Sequence, residues 1–154
     1  RCSVLVTEKL ESVQLPDYVA EHWATMSDEK KKTFLEAMGK TARRVHNKPV
    51  NFPDLYAWHY FVREEGEGYD FDLIDLHRMQ RRMVFPQYFS ENLGALLFSM
   101  PDPLFTPDDI SSLLDGYFAG DTSERRAAML PKIQQRAKKL RKRKAKSLKA
   151  EWGL

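Results

Sequence analysis

The stretch NFPDLYAWHYFVREEGEGYDFDLIDLHRMQRR, residues 51–82, decides how this chain reads. It sets two acidic residues, Asp54 and Asp75, on either side of a segment patterned as a β-hairpin. The first arm, Ala57 to Arg63, is rich in aromatic and β-branched side chains, which suit a pleated, half-buried surface. The second arm, Tyr69 to Asp75, alternates Tyr69, Phe71 and Leu73 with Asp70, Asp72 and Ile74, close to the period of a strand with one buried face. Between them, Glu64-Glu65-Gly66-Glu67-Gly68 offers glycines for the positive φ angles of a tight reversal. Folding the segment about Glu67 puts His59 opposite Asp75, with Asp54 in the loop just before. A carboxylate, an imidazole and a second carboxylate then meet at one end of the ribbon, as in a site.

Protein kinases follow that order. A catalytic-loop Asp orients the accepting hydroxyl, a side chain soon after it helps hold Mg²⁺, and a second Asp binds the metal directly. Asn51-Phe52-Pro53-Asp54-Leu55-Tyr56-Ala57-Trp58-His59-Tyr60 and Leu73-Ile74-Asp75-Leu76-His77-Arg78-Met79-Gln80 resemble the catalytic loop (N-H-R-D-hydrophobic-Y-x-x-H-F) and the metal loop (L-I-D-L-H-R-x-Q) of one kinase branch. That branch is the lipopolysaccharide core kinases, which phosphorylate heptose or 3-deoxy-manno-octulosonic acid (Kdo). The resemblance implies an α+β fold: a mostly helical, protein-kinase-like carboxy-terminal lobe carrying a short catalytic β-hairpin. It implies ATP and Mg²⁺, with Asp54 as base or hydroxyl-orienting residue and Asp75 and His59 at the metal. His59 could instead hydrogen-bond Asp75 or a phosphate oxygen, since Mg²⁺ prefers oxygen ligands. Arg78, Arg81 and Arg82 are the candidates for substrate or phosphate.

Ser3-Val4-Leu5-Val6-Thr7-Glu8-Lys9-Leu10 resembles the hinge between kinase lobes, which makes Glu8 and Leu10 nucleotide-binding candidates. On that reading residues 1–154 are one domain running from a hinge strand (1–10) through the catalytic and metal loops (51–82) to a basic helical tail (124–150). The amino-terminal lobe is expected to be missing and the isolated lobe inactive. The implied acceptor is a sugar hydroxyl of a glycolipid, and the implied location is cytoplasmic, peripheral at the inner membrane. Two departures stand out. Phe52-Pro53 replaces the usual His-Arg. Asn92-Leu93-Gly94-Ala95-Leu96-Leu97-Phe98-Ser99 resembles the family's D-L-A-G-L-x-F-S helix, with Asn92 where an Asp braces the catalytic loop. Together they imply a rebuilt brace or reduced activity.

With 154 residues, 42% of them apolar, the chain can bury one real core. No apolar run approaches the roughly 20 residues of a membrane span, and no basic-then-apolar leader is visible. A single cysteine, Cys2, cannot form an internal disulfide and favours a reducing compartment. The net charge of +3 conceals an asymmetry: Lys132 to Lys149 holds ten basic residues and no acid, and the rest is acidic on balance. That tail suits an anionic membrane surface.

Periodicity and caps fill in the helices. Short helical character begins at Pro16, and Ser27 caps a longer helix whose buried face is Phe34, Leu35, Met38, Ala42 and Val45. His46, in its last turn, reads as structural. Ser90 to Met100 is a mostly apolar helix. Thr106-Pro107-Asp108-Asp109 is a helix start, with Ile110, Leu113, Leu114, Tyr117 and Phe118 on one face. Thr122 or Ser123 caps the last helix, expected to bend near Pro131. Its stripe of Leu130, Ile133, Ala137, Leu140 and Leu148 should dock the first half while the lysine-rich remainder projects. The histidines and cysteine show no zinc spacing, and serine-nucleophile and dinucleotide signatures are absent. Two alternatives remain: a kinase-like scaffold with weak or no activity, and a basic-tailed nucleic-acid-binding helical module, although nucleic acid is not the expected partner.

Overall fold

The computed structural model describes residues 11–48, 50–81 and 86–154. The hinge strand expected over residues 1–10, with Glu8 and Leu10, lies outside the described residues, as does Arg82.

A short strand β1 (Val13–Gln14) leads into α1 (Leu15–His22) and then α2 (Asp28–His46). Ser27 starts α2 as expected, its side chain accepting the Lys30 N–H. Strand β2 (Val50–Asn51) enters the loop that carries Asp54, and a 3-10 turn (Ala57–His59) leaves it. Strands β3 (Tyr60–Glu65) and β4 (Gly68–Leu73) form the hairpin, and β5 (Gln80–Arg81) follows the Asp75 loop. Helices α3 (Pro86–Phe98), α4 (Pro107–Tyr117) and α5 (Ser123–Trp152) complete the chain. This is the expected mixed α+β architecture, dominated by helix.

The hairpin is present with a different register. The ladder runs from Tyr60 opposite Leu73 to Glu65 opposite Gly68, so the reversal is the two-residue turn Gly66-Glu67. Gly66 takes φ +60° and Glu67 does not take positive φ, the sign pattern of a hairpin turn with glycine at its first central position. His59 therefore faces Ile74, whose N–H donates to the His59 carbonyl at 3.1 Å, and not Asp75. The first three residues of the expected first arm, Ala57 to His59, are 3-10 turn instead of strand.

Two contacts unseen in the sequence frame this ribbon. β1 adds a third strand beside β3, and β2 pairs antiparallel with β5, Val50 opposite Arg81 and Asn51 opposite Gln80. The second pairing ties the entrance of the Asp54 loop to the exit of the Asp75 loop. The inner face of the hairpin lies on α2: the Phe34 ring meets Tyr69 and Phe71 edge-on at 4.9 and 5.1 Å and stacks on Tyr18 at 5.5 Å.

Beneath the site, α2 and α4 cross at two glycines. A Cβ on Gly39 would fall 2.0 Å from the Leu113 carbonyl oxygen, and one on Gly116 would fall 2.1 Å from that of Glu36. Only hydrogen at both positions lets the backbones approach so closely. The cap of α4 is a full capping box between Thr106 and Asp109.

Helix α5 departs from expectation twice. It runs without a break through Pro131, which is exposed, as is Ala127, whose carbonyl loses its partner there and faces water. The break falls at Lys144 (φ −125°, ψ 24°). The lysine-rich end does not project: past Lys144 the helix stays on the body, Leu148 half-buried and Trp152 buried, and ends at Gly153 in the left-handed region (φ +64°).

Candidate functional site

Asp54 is built into the floor of the loop. It is 4% exposed, and the Arg78 guanidinium donates to its Oδ1 at 3.0 Å. Its other carboxylate oxygen, Oδ2, is buried with no hydrogen-bond partner among the described residues. Native proteins rarely leave a buried carboxylate oxygen unpaired, and such exceptions gather where a site is strained or functional.

The main chain of the same residue orients the imidazole. His59 Nδ1 lies 2.8 Å from the Asp54 carbonyl oxygen. A carbonyl only accepts, so Nδ1 carries the hydrogen, and a neutral ring turns its lone pair outward at Nε2. That nitrogen is 3.5 Å from Asp75 Oδ2. Asp75 reaches this position through its backbone, since it is the only non-glycine described residue at positive φ (57°). Aspartate tolerates the left-handed region better than most residues, and such conformations gather at functional sites. Its Oδ1 is bonded to His77 Nδ1, a partner that the sequence reading did not assign.

Asp54, His59, Asp75 and Arg78 thus stand together. The structure puts Arg78 on the Asp54 carboxylate. Arg81 is exposed on β5, and its side chain bonds to no described residue. Among the described residues no cluster of three or more His, Cys, Asp or Glu could hold a metal. A Mg²⁺ ion does not require one, because it is usually held by one or two carboxylates with phosphate oxygens and water completing the shell. The partly exposed carboxylate of Asp75 fits that demand, while His59 Nε2 beside it is a nitrogen and suits a hydrogen bond to Asp75 or to a phosphate oxygen better than the ion itself. The far nitrogen of the imidazole is anchored on the Asp54 carbonyl, which fixes the ring.

The brace under the loop is rebuilt around an amide. Asn92 is 1% exposed, and its amide nitrogen donates to the Phe52 carbonyl at 3.1 Å and to Asn51 Oδ1 at 3.2 Å. Its oxygen accepts the Phe52 N–H at 3.1 Å and lies 3.4 Å from His46 Nε2. A carboxylate could accept from Phe52 but could not donate to its carbonyl. Phe52 itself is fully buried in the core. His46 is structural, as expected: Nδ1 meets the Tyr117 hydroxyl at 2.8 Å, and burial, reinforced by the charge of Arg43, pushes its pKa down to about 3. Burial also raises the Tyr117 phenol, so the pair stays neutral beneath the loop. Arg43 in turn grips Asp121 with both terminal nitrogens, at 2.7 and 2.9 Å.

A buried loop carboxylate held by an arginine therefore lies beside an imidazole that approaches a second carboxylate, on a mostly helical lobe. Residues 1–117 match the family described as the Lipopolysaccharide kinase (Kdo/WaaP) family, and the chain belongs to that family. Among solved structures it is similar to a protein described as WaaP in complex with acyl carrier protein, with 26% sequence identity and a TM-score of 0.70 over 86% of this chain. The chain spans 59% of the length of that protein. No curated protein matches it. No helix among the described residues is long and apolar enough to cross a membrane.

Proposed function

We propose that this chain is the catalytic-loop-bearing lobe of an ATP-dependent kinase that phosphorylates a sugar hydroxyl of a lipopolysaccharide core or similar glycolipid. The observation that carries the proposal is the placement of the Asp54 carboxylate, held by Arg78 on Oδ1 and set next to the His59–Asp75 pair. The Asp54 carboxylate orients the acceptor hydroxyl so that its oxygen faces the phosphorus. Asp75, with His59, holds Mg²⁺, which when bound neutralises charge on the nucleotide phosphates. Phosphoryl transfer needs little covalent help from protein, so alignment and electrostatics are what these residues contribute. Arg78, which keeps 57% of its side chain exposed while touching Asp54, is within reach of the acceptor or the transferred group. Arg81, exposed on β5, adds a further cation, and the family resemblance offers Arg82 for phosphate and Glu8 and Leu10 for adenine.

The family and the open face of α5 support a site of action at an anionic membrane surface. Of the ten basic residues from Lys132 to Lys149, only Arg141 forms an ion pair with a described residue, Asp102. Each cation near an anionic leaflet contributes about 1 kcal/mol. The similar solved protein is described with acyl carrier protein, and a protein partner for this chain is the corresponding proposal. We expect no turnover from residues 1–154 alone. Transfer of labelled γ-phosphate by the full-length protein tests the substrate class. Label should appear on a heptose- or Kdo-bearing glycolipid, and label appearing only on protein or lipid without sugar would overturn the assignment.

A further inference from the structure

Helix α5 lies beyond the stretch that matches the family, residues 1–117, yet it touches the Asp54 loop at one point and reaches it through Ser99 at another. The first is Lys144. Its Nζ donates to the Tyr56 hydroxyl at 2.9 Å and sits 5.1 Å from the centre of that ring. Tyr56 is two residues after Asp54, buried, stacked on Trp58 at 4.7 Å and edge-on to His59 at 5.6 Å. The second is Trp152, whose indole N–H donates to the Ser99 carbonyl at 2.8 Å while its ring packs on Phe105 at 5.4 Å. The Ser99 hydroxyl accepts the Ala57 N–H at 2.7 Å and donates to the Leu96 carbonyl at 2.6 Å. Ala57 begins the 3-10 turn that ends at His59.

The break in α5 does not fall at a Pro or Gly: Lys142, Arg143, Lys144, Ala145 and Lys146 are all good helix formers, although like charges four apart weaken this segment. The helix departs from its path at the residue that reaches Tyr56, and the redirected end carries the indole to Ser99. We infer that Lys144 and Trp152 are positioning residues for the Asp54 loop: from a helix outside the family match, they fix Tyr56 and, through Ser99, Ala57, and so hold Asp54 and His59 in register. This deepens the kinase reading, on which its catalytic consequence rests.

The test uses the full-length protein with Lys144→Met, which keeps the stem and removes the cation, Lys144→Arg, which keeps the cation, and Trp152→Phe, which keeps an aromatic ring and removes the donor. Hydrogen exchange is followed at the amides of Tyr56, Ala57 and His59, with buried amides of α2 and α4 as the reference. Losing one charge-assisted or buried bond predicts about tenfold faster exchange at the loop amides in Lys144→Met and Trp152→Phe. Reference amides should keep their rates, and Lys144→Arg should behave as wild type. In phosphotransfer, kcat should fall about tenfold with the nucleotide KM unchanged. Loop amides at wild-type rates in both variants would overturn the inference. So would equal loosening of α2 and α4, or loosened loop amides with kcat intact. A wild-type protein without phosphotransfer would refute the proposed function alone, because exchange reads the loop directly.

Discussion

Acidification should weaken the chain through His46 by a calculable amount. In the fold its pKa is near 3, because the ring is 5% exposed and Arg43 adds an unfavourable charge. In the unfolded chain it returns to about 6.5. The unfolded state then binds a proton that the native state refuses, so the stabilisation is complete above pH 6.5 and is lost as pH falls towards 3. The slope is about 1.4 kcal/mol per pH unit, so His46 alone should remove about 2.5 kcal/mol between pH 7.5 and 4.5. Urea unfolding followed by tryptophan fluorescence at several pH values measures it. His46→Gln supplies the reference, because its amide can still serve Tyr117 and Asn92 but does not titrate. Other titrating groups are common to both proteins and cancel. Wild type should lose about 2.5 kcal/mol more than the variant over this range, and parallel pH dependences would refute the burial argument.

Three further outcomes follow from the packing. Asn92→Asp, although it restores the residue expected at that position of the resembled motif, should cost about 3 kcal/mol in urea unfolding, since it strands the Phe52 carbonyl and buries a charge; wild-type stability would mean that the amide N–H is not the brace. Gly39→Ala must push α4 off α2 to relieve a 2.0 Å approach and should cost about 3 kcal/mol by calorimetry, with an unchanged midpoint counting against the close crossing. Sedimentation with anionic vesicles should depend on α5 and fall steeply by 1 M salt, where screening shortens to about 3 Å; equal binding to neutral vesicles, or no loss on changing Lys138, Lys139, Lys142 and Lys146 to Gln, would leave the tail without a membrane role.

The helices were legible because their signals are local. Ser27, Thr106 and Thr122 each accept a backbone N–H at their helix starts, and Phe34, Leu35, Met38 and Ala42 are buried as their spacing required. The meeting of Asp54, His59 and Asp75 was legible too, but for an incomplete reason. A hairpin one residue out of the expected register would have carried Asp75 away from His59, and the left-handed backbone at Asp75 brings it back, a property that sequence alone does not disclose for an aspartate. The pairing of Val50 with Arg81 joins two-residue strands, too short for any periodicity. Arg78 on Asp54 and His77 on Asp75 are choices among several nearby cations, settled only by packing. Trp152 could have been found: it follows Leu148 by four residues, continues the stripe of α5 and precedes a glycine cap. The bend at Lys144 could not, because the contact made there is with Tyr56, far away in the chain.

The central claim is that Asp54 and Asp75 serve one phosphoryl group in different roles. Turnover and Mg²⁺-nucleotide affinity of the full-length protein, measured side by side for Asp54→Asn and Asp75→Asn, test it most directly. Asp54→Asn should lower turnover by about a hundredfold or more while nucleotide affinity stays near wild type. Asp75→Asn should lose both. Wild-type turnover in either variant, or the same loss of nucleotide binding in both, would contradict the account.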